Sequence, residues 1–393
     1  MRFSRRTDWN TDESELARAY RLRRESGLPL ADLTSSNPTR CGFTYPAGLL
    51  DALRDPRALD YDPHPRGLPT AREAVCAYYA EHGVALDPAD ILLTTSTSEA
   101  YSFLFRLLCD AGSEVIVFQP GYPLFDFLAA LDDVHLRAAP LLYDRGWQID
   151  AEAIRRAMTP RTRAIVLVHP NNPTGHFTKP SEAEELAAIC REFHLSLIVD
   201  EVFLDYGIRV CGASFAAGLE GVPVFVVSGL SKIAALPQMK AAWMVATGPE
   251  KQAALDRLEV IADTFLSMNA PVQWAMPAWL AAGGAVREQI SARVAANLAT
   301  LDRSLKAVPA VERLAVEGGW YAVLRIPAIA PDERTVTALL ERGVWVHPGY
   351  FFGMPESGWL VVSLLARQLE FSDGIGRLIN YFRTDQVSNT YEG

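Results

Sequence analysis

The amino-acid sequence predicts an α/β protein with two domains. The larger domain is expected to be a three-layer α/β/α unit around a mostly parallel sheet, and the smaller one an α+β unit. Two observations predict this fold class. The chain has 393 residues, which is more than a single hydrophobic core usually holds. Along most of it, short and continuously apolar runs alternate with segments of helical periodicity, the order typical of a parallel sheet covered on both faces.

Six apolar runs are predicted to form buried strands of the large sheet. They are DILLTT (90–95), EVIVF (114–118), AIVLVH (164–169), LSLIVD (195–200), VFVVSG (224–229) and AAWMVAT (241–247). Continuous hydrophobicity, rather than alternation, is typical of strands that are buried on both faces. Residues 181–194 place apolar side chains at helical spacing, and Ser181 with Glu184 predicts a capping box at the start of that helix.

The pattern changes beyond about Ala281. An amphipathic helical sequence, REQISARVAANLATLDRSLKAV, leads into GGWYAVLRIP and WLVVSLL, which predict strands of a smaller unit. The beginning of the chain contains one amphipathic helical pattern and is expected to pack on that unit. We therefore predict an N-terminal segment over 1–45, a large domain that holds the functional site over 46–284, and a small C-terminal domain over 285–393.

Composition and charge exclude several classes of partner. The net charge of −10 provides no basic field for nucleic acid or for an anionic membrane. The N-terminal stretch MRFSRRTDWNTDESELARAY is charged throughout, unlike a signal peptide, and no apolar run is long enough to span a bilayer. Five scattered cysteines without C-x-x-C spacing predict reduced thiols. We therefore expect a cytoplasmic protein without a metal site.

Polar side chains follow several of the predicted strands, at the edge where parallel strands end and ligands bind. The first strand is followed by Ser96, Thr97 and Ser98, whose hydroxyl and backbone N–H groups suit an anion at a helix N-terminus. An ordinary helix cap is the alternative for this turn. The next strand is followed by Tyr122 in QPGYPLFDF, and a later one by PNNPTG, a turn that contains Asn172.

Two charged residues complete this set. Asp200 ends one apolar run, where a carboxylate without a cationic partner is costly. Lys232 lies in the apolar stretch SGLSKIAALPQMKAAWM, where burial lowers the pKa of a lysine and makes its amine a nucleophile. Pyridoxal phosphate needs such a lysine, an acid for its ring nitrogen, a phosphate-binding turn and an aromatic ring. The sequence therefore predicts this cofactor, with Lys240 as a further cation for its phosphate.

Seven motifs follow one another over nearly the whole chain. They are RGLPTAREAV, TTSTSEA, PGYPLFDF, HPNNPTG, VDEVFLDY, SGLSKIAALPQMK and VHPGYFFG. Together they resemble the class I aminotransferases of the aspartate aminotransferase superfamily, which are pyridoxal-phosphate enzymes of fold type I. A single string such as NPTG is weakly specific, whereas the ordered set is highly specific. The resemblance implies this fold, this cofactor and aminotransferase chemistry.

The resemblance also implies roles for individual residues around the cofactor ring. Lys232 matches the lysine that bonds covalently to the cofactor and later moves the substrate proton. Asp200 matches the carboxylate that keeps the pyridine nitrogen protonated. Asn172 matches the amide that hydrogen-bonds the ring hydroxyl, and Tyr122 matches the aromatic residue that stacks on the ring.

Other matches concern the phosphate and the assembly. Residues 96–98 match the phosphate-binding turn, and Ser231 is a further hydroxyl donor. Tyr61 matches a tyrosine that the family contributes from one subunit to the phosphate in the other, so the resemblance implies a homodimer with shared active sites. The alternatives are that Tyr61 is an ordinary exposed loop residue and that Tyr122 only packs under a loop.

Several positions near the implied cofactor depart from the family pattern, among them Lys240 and Phe203. Lys240 stands where the family has an arginine that clamps the phosphate, so the charge is kept and the bidentate fork is lost. Phe203 stands where the family has a tyrosine whose hydroxyl donates to the cofactor ring. We therefore expect the nitrogen of Lys232, once bonded to the cofactor, to keep its proton to higher pH. Tyr206 is a candidate substitute for the missing hydroxyl.

The most consequential departure concerns the substrate. Val361 stands where the family has an arginine that grips the substrate α-carboxylate, and losing such a charged contact costs about 1.5–3 kcal/mol. Either another cation binds this group or the substrate lacks it in that pose. Candidate substrate residues are Asn37 and Arg40 in SSNPTR and Arg367 after the last predicted strand. For the arginines, a solvated surface position is the alternative.

The leading functional prediction is a pyridoxal-phosphate-dependent aminotransferase. It would move an amino group from an amine or amino-acid donor to a keto acceptor with ping-pong kinetics. A lyase or decarboxylase is the alternative, because the fold does not decide the chemistry and Val361 removes the usual carboxylate contact. A cofactor-binding protein without catalysis is a third hypothesis, against which Lys232, Asp200 and Asn172 argue. The expected partners are small amine and keto compounds.

Overall fold

The computed structural model of the chain describes residues 2–208, 210–266, 268–354 and 357–389. Its strands form an eight-stranded sheet, a four-stranded sheet and a two-stranded pair. In chain order they are β1 (Ala31–Asp32), β2 (Ile91–Thr94), β3 (Glu114–Gln119), β4 (His135–Tyr143), β5 (Trp147–Ile149), β6 (Thr162–Val168), β7 (Ser196–Asp200), β8 (Val224–Gly229), β9 (Ala242–Thr247), β10 (Glu312–Arg313), β11 (Tyr321–Arg325), β12 (Val344–Trp345), β13 (His347–Pro348) and β14 (Trp359–Ser363).

Some of the α-helices pack on the two faces of the large sheet, and others pack beside the C-terminal strands. They are α1 (Glu15–Glu25), α2 (Pro69–Glu81), α3 (Thr97–Leu108), α4 (Phe125–Leu131), α5 (Ala151–Ala157), α6 (Pro180–Phe193), α7 (Leu230–Ile233), α8 (Lys251–Thr264), α9 (Ala270–Ala282), α10 (Gly284–Leu305), α11 (Asp332–Glu341) and α12 (Gln368–Asn389). Within the described ranges, none of them is sufficiently long and apolar for a bilayer span.

The large sheet contains the six strands that were predicted for it, as β2, β3, β6, β7, β8 and β9. Its spatial order is β2-β9-β8-β7-β6-β3-β4-β5. The pairs β3/β4, β3/β6, β6/β7 and β7/β8 are parallel, while β9 runs antiparallel to both β2 and β8. The sheet is therefore mostly parallel, as predicted. The sequence did not predict β4, because exposed positions interrupt its apolar side chains.

Alternate residues of the central strands face opposite sides of the sheet. In β7, Leu197 and Val199 belong to one buried cluster, which also contains Trp279 of α9. Ile198 belongs to a second cluster, which also contains Phe105 of α3. Each fully buried side chain of this kind contributes about 1.5–3 kcal/mol to folding. Both faces of the sheet are thus covered by helices, and the predicted three-layer α/β/α architecture is confirmed.

The C-terminal strands form an antiparallel sheet of order β10-β11-β14-β13. The N-terminal residues contact this part of the chain. Ala31 pairs with Val344 in the β1/β12 ladder, and the Ser363 N–H donates to the Leu33 carbonyl at 2.6 Å. Helix α10 begins at Gly284, three residues after the predicted change of pattern at about Ala281. These contacts are in line with a three-part chain, whose exact bounds stay a prediction.

One local prediction about helix α6 is wrong. The helix begins at Pro180 with Lys179 as its N-cap residue, and the Glu182 carboxylate accepts a hydrogen bond from the Lys179 N–H at 2.6 Å. Ser181 and Glu184 therefore do not form the capping box. Proline favours the first helical position because its fixed φ suits the helix and it has no N–H to leave unpaired.

Candidate active site

Asp200 and Lys232 meet at the carboxyl ends of adjacent parallel strands. Strand β7 ends at Asp200, and β8 leads directly into α7, which carries Lys232. The Asp200 carboxylate accepts hydrogen bonds from the Tyr101 hydroxyl at 3.1 Å and from the Val202 N–H at 3.0 Å. It is also coupled electrostatically to the Lys232 amine. The fold thus brings together the two charged residues that the sequence singles out.

Burial shifts the pKa values of both groups. Desolvation raises the pKa of Asp200 to about 6, although the hydrogen bonds from Val202 and Tyr101 and the nearby Lys232 act to lower it. Desolvation lowers the pKa of Lys232, and Asp200 opposes that shift. The Lys232 amine therefore holds its proton less tightly than an exposed lysine, which is what a nucleophile or proton acceptor needs.

Two aromatic rings lie close to the Lys232 amine. Its Nζ atom lies 5.0 Å from the ring centroid of Trp320 and 5.7 Å from that of Phe203. Trp320 packs edge-on against Phe203 and Tyr206, with centroid distances of 5.2 and 5.0 Å. The Tyr206 hydroxyl donates to the backbone carbonyl of Lys232 at 2.6 Å. Tyr206 therefore holds the main chain of Lys232, which gives its hydroxyl a different task from the predicted substitute role.

Tyr122 lies on the side of the site where Asp200 is located. Its side chain is 37% exposed and packs edge-on against Phe125, with 5.7 Å between ring centroids. Burial, followed by electrostatic coupling to Asp200 and Tyr321, raises the pKa of Tyr122 to about 12. The residue is thus only partly covered by the chain itself, on the side of the site where Asp200 is located.

The N-terminus of α3 offers anion-binding groups directly after β2. Ser96 is its N-cap residue, and the Ser96 Oγ accepts the Glu99 N–H at 3.1 Å. The alternative of an ordinary cap thus describes Ser96. The Glu99 carboxylate accepts the Thr95 N–H at 2.7 Å. No hydrogen bond among the described residues occupies the N–H groups of Thr97 and Ser98, so both are available to an anion.

Asn172 lies in the turn that follows β6. Asn171 stabilises this turn, because its Oδ1 accepts the Thr174 hydroxyl at 2.8 Å and its carbonyl accepts the Gly175 N–H at 2.8 Å. Asn172 is buried, and its Oδ1 has no hydrogen-bond partner among the described residues. A buried polar atom without a partner costs about 1–3 kcal/mol. This amide is therefore suited to a ligand that satisfies it.

The neighbouring carboxylates Asp200 and Glu201 have different surroundings. Glu201 accepts hydrogen bonds from the Ser214 hydroxyl at 2.7 Å and from the Phe215 N–H at 2.6 Å. Burial raises the pKa of Glu201 to about 7, and these two hydrogen bonds oppose the shift. Lys232 is electrostatically coupled to Asp200. Asp200 is thus the acid on the side of the amine.

Ser231, Lys240 and Val361 were also singled out in the sequence. Ser231, in α7, is partly buried, and Lys240 is exposed with a left-handed backbone conformation of φ 53°. Val361 in β14 is fully buried and pairs with Val323 and His347 on the neighbouring strands. At the position of Val361, the small sheet therefore presents an apolar side chain and no cation.

Tyr61 is far more exposed than the residues around Lys232. Its side chain is 84% exposed, and it lines a cavity of about 300 Å³ together with Arg57, Met268 and Trp274. A tyrosine this exposed on one chain makes few contacts within that chain. The position is compatible both with an ordinary loop residue and with a contribution to a second subunit.

The predicted substrate residues lie on the N-terminal segment and after β14. Asn37 caps a short turn that ends at Arg40, and Arg40 and Arg367 are both exposed. Arg367 packs beside Gly42 of the N-terminal segment. No hydrogen bond between described residues joins these side chains to Lys232. The described ranges also contain no group of three or more His, Cys, Asp or Glu that could hold a metal ion.

A comparison with family models decides the class of the protein. Residues 49–369 match the model of the family described as aminotransferase class I and II. This match covers most of the chain and includes every strand of the large sheet. The chain belongs to this aminotransferase family.

Similar sequences are named for the same activity. The aspartate/prephenate aminotransferase of Thermus thermophilus is 32% identical over 349 residues, which cover 86% of this aminotransferase and 87% of the relative. The glutamate-pyruvate aminotransferase AlaA of Escherichia coli is 30% identical over 358 residues, with 86% and 87% covered. The predicted aminotransferase function is confirmed, and the lyase or decarboxylase alternative is not favoured.

Solved structures share the fold of this aminotransferase. An alanine aminotransferase from Pyrococcus furiosus has a TM-score of 0.89 at 24% identity and covers 98% of this chain and 100% of its own. The Thermus thermophilus aspartate aminotransferase with maleate has a TM-score of 0.83 at 27% identity, with 97% and 100% covered. The predicted fold type I is confirmed.

The sequence did not predict two residues of the aminotransferase site. Tyr101, which donates to Asp200, lies four positions after Thr97 on α3 and therefore on the same helix face. That spacing is a signal that could have identified it. Trp320 precedes β11, and its contact with Lys232 joins distant parts of the chain. No local sequence pattern predicts such a contact.

Proposed function

We propose that this aminotransferase uses pyridoxal 5'-phosphate and moves an amino group between an amine or amino-acid donor and a keto acceptor in two half-reactions. The observation that carries this proposal is the partly buried Lys232 amine, whose pKa is lowered by desolvation and which is coupled to Asp200. Burying an amine lowers the stability of the fold, so a lysine in that setting is better explained by a covalent reaction than by a structural role.

The residues of the site fit the proposed cofactor. The buried Asn172 Oδ1 is without a partner in the described structure, and the N–H groups of Thr97 and Ser98 are free to bind a phosphate. Asp200 would pair with the ring nitrogen, and Tyr122 would face the ring. When bound, the cofactor supplies an aldehyde for the amine and a ring that withdraws electrons from the substrate carbon.

Further residues are proposed to support the same cofactor. Ser96 and Ser231 would add hydroxyl groups near the phosphate, and Lys240 would add a positive charge. Phe203 contributes an apolar ring close to the amine instead of a hydroxyl. We expect the cofactor to be retained less strongly than with an arginine at the position of Lys240, because a lysine cannot form a bidentate contact.

The protein's own groups have definite tasks in the proposed reaction. Lys232 Nζ takes the proton from the donor carbon that bears the amino group, and its lowered pKa favours the neutral form that can do so. Asp200 keeps a negative charge opposite the ring, and the Tyr101 hydroxyl orients that carboxylate. Trp320 and Phe203 exclude water from the amine.

We propose amino acids and their keto acids as the first substrates to test. The names of the relatives support this class, since they refer to aspartate, prephenate, glutamate and pyruvate. Asn37, Arg40 and Arg367 remain candidates for binding a substrate carboxylate. The apolar Val361 supports including donors that lack a carboxylate.

We also propose a cytoplasmic homodimer in which each subunit supplies Tyr61 to the phosphate site of the other. The high exposure of this tyrosine supports an intersubunit role. The proposed domain bounds are 1–45 for the N-terminal segment, 46–284 for the large domain and 285–393 for the small domain. The β1/β12 pairing supports assigning the N-terminal segment to the small domain.

The test is a panel of amine donors added to the enzyme loaded with pyridoxal phosphate. We expect a donor to convert the absorbance of the bound cofactor to that of its amine form, and a keto acid to reverse the change. Lys232→Ala should abolish the response, whereas Lys306→Ala, which removes an exposed lysine, should not. Release of carbon dioxide or ammonia without this conversion would instead support a decarboxylase or lyase.

A further inference from the structure

Trp320 contacts the reactive amine, yet its own indole group is not anchored by a hydrogen bond. The side chain is fully buried, and its Nε1 has no partner among the described residues. The Lys232 Nζ lies 5.0 Å from the centroid of this ring. The orientation of the indole must therefore come from packing and from the backbone that carries it.

That backbone segment approaches the large domain very closely. A Cβ atom added at Gly318 would lie 2.5 Å from the Phe177 ring and 2.9 Å from the Tyr206 carbonyl, so no side chain fits there. Gly319 has a φ of +77°, which favours glycine. Its N–H donates to the Tyr206 carbonyl at 2.9 Å. These two glycines join Trp320 to Glu317.

Glu317 holds the start of this segment through several contacts with the turn after β6. Its carboxylate accepts the Phe177 N–H at 3.0 Å and the Lys179 amine at 2.5 Å, and it lies 3.6 Å from the His176 ring. Its own carbonyl accepts the Ile208 N–H at 2.8 Å. The Lys179 pair is half-exposed and therefore contributes little, so the Phe177 N–H carries most of the attachment, and the buried His176 ring lies beside it.

The charges of this cluster favour the observed pairing. Burial acts to raise the pKa of Glu317, but the nearby His176 ring and the hydrogen bonds from Lys179 and Phe177 outweigh this effect and lower the pKa to about 2. The carboxylate is thus ionised at ordinary pH. His176 is also hydrogen-bonded to Glu182 at 2.9 Å, on the first turn of α6. The attachment therefore links the part of the predicted small domain that carries Trp320 to helix α6 of the large domain.

We propose that Glu317 is a positioning residue, whose attachment to residues 176–179 holds Trp320 against the Lys232 amine. It acts through Trp320 and does not touch the reacting atoms. This inference rests on the proposed catalytic role of Lys232. It predicts that weakening the attachment loosens the indole and admits water to the amine, while the rest of the fold is preserved.

The test measures the ionisation of Lys232 in the full-length protein freed of bound aldehyde with hydroxylamine and dialysis. Formaldehyde and cyanoborohydride methylate unprotonated lysines, and mass spectrometry of the peptide containing Lys232 gives its labelling at each pH. For Glu317→Gln we expect the midpoint to rise by roughly half a pH unit or more, because water reaches the amine. A direct loss of nearby negative charge would lower the midpoint, so the sign separates the two explanations.

Three further variants make the experiment decisive. Glu317→Asp keeps the charge and should restore part of the wild-type midpoint. Glu312→Gln removes an exposed carboxylate of β10 that pairs with Arg325, and it should leave the midpoint unchanged. Trp320→Leu should raise the midpoint by itself, and adding Glu317→Gln to it should cause no further change.

Two outcomes would overturn the inference. The first is a Glu317→Gln protein with lower thermal stability but an unchanged Lys232 midpoint, which would assign Glu317 a purely structural role. The second is a Glu317→Gln shift of the Lys232 midpoint that is equally large when Trp320→Leu is already present. Neither readout depends on turnover, so a failure of the proposed reaction and a failure of this inference are distinguishable.

Discussion

Burial of the Asp200 side chain disfavours the charged form of its carboxyl group. Burial raises its pKa to about 6 from an ordinary value of 3.8, against hydrogen bonds from Val202 and Tyr101. Between those pH values the folded chain binds more protons than the unfolded chain does. Asp200 therefore contributes stability that is fully present below its unfolded pKa and is lost as the pH rises through about 6.

We expect Asp200→Asn to stabilise the cofactor-free protein at neutral pH. A shift of about two pKa units corresponds to about 3 kcal/mol in the free energy of unfolding, which is the upper limit of the gain. Urea unfolding between about pH 4 and pH 8 measures it, with the exposed Asp12→Asn as the control. The variant should also bind pyridoxal phosphate more weakly. Equal stability of variant and wild type across this range would contradict the argument.

Phe203 gives a second prediction for a single residue. Its ring lies 5.7 Å from the Lys232 amine and has no hydroxyl to donate. We expect Phe203→Tyr to lower the pH at which the absorbance of the loaded enzyme changes, because a donated hydrogen bond would stabilise the unprotonated nitrogen. A spectrophotometric pH titration tests this, with Phe193→Tyr at the end of α6 as the control. Identical midpoints for wild type and Phe203→Tyr would refute it.

Site residues could be predicted from the sequence where a charged side chain stands in an otherwise apolar stretch. Lys232 and Asp200 stand out as charges in apolar runs, which is costly without a use. Trp320 does not stand out, because a tryptophan at the start of an apolar strand is ordinary. For Arg40 and Arg367, charge alone was a weaker signal. Their charge suits a substrate carboxylate, but both are exposed in the folded chain.

Among the elements, the N-terminus of α3 combines two tasks that different residues perform. Ser96 accepts the Glu99 N–H and so stabilises the helix, while Thr97 and Ser98 keep free N–H groups for an anion. The sequence predicted the anion-binding turn and left an ordinary cap as the alternative. The structure gives Ser96 the cap and leaves the following residues available, because one serine oxygen satisfies one of the helix donors.

This division gives a prediction for the element. We expect Ser96→Ala to lower the free energy of unfolding of the cofactor-free protein by about 1 kcal/mol, the usual value of an N-cap. Thr97→Ala should change it by less than about 0.5 kcal/mol. Urea unfolding distinguishes the two variants, and equilibrium dialysis with pyridoxal phosphate then reports retention. A Thr97→Ala protein as destabilised as Ser96→Ala would show that the cap is shared.

Other elements show how far periodicity alone leads. Continuous apolar runs predicted the central strands correctly, because a strand buried on both faces leaves no polar position. Strand β4 was not predicted, because many of its residues are exposed and its apolar run is interrupted. The start of α6 was misplaced because Pro180 and Glu182 determine it, rather than the serine one residue later.

At the scale of the whole molecule, exposed apolar side chains support the proposed dimer. Leu59 is 90% exposed, Tyr61 84% and Leu266 72%. Scattered apolar residues on a surface are ordinary, but Tyr61 also lines a cavity with Met268, close in sequence to Leu266. Light scattering should therefore give about twice the chain mass of 43.2 kDa.

Shared active sites in such a dimer predict complementation between two defective chains. Lys232→Ala lacks the amine and Tyr61→Ala lacks the proposed phosphate contact, so each homodimer should be impaired when pyridoxal phosphate is limiting. In a mixed dimer, the intact Lys232 of one chain meets the intact Tyr61 of the other. Dissociating and reassociating an equal mixture should therefore restore about a quarter of wild-type activity, because half of the dimers carry one complete site.

The control for complementation is a mixture of Lys232→Ala with Asp200→Asn. Both residues lie in the same chain's site, where the fold couples them directly, so no mixed dimer gains a complete site. Activity in the Tyr61→Ala mixture but not in this control would support exchange of Tyr61 across the interface. If Tyr61→Ala is impaired by itself and the mixture gains no activity although native mass spectrometry shows mixed dimers, Tyr61 acts within its own chain. A Tyr61→Ala homodimer with full activity would instead make Tyr61 an ordinary loop residue.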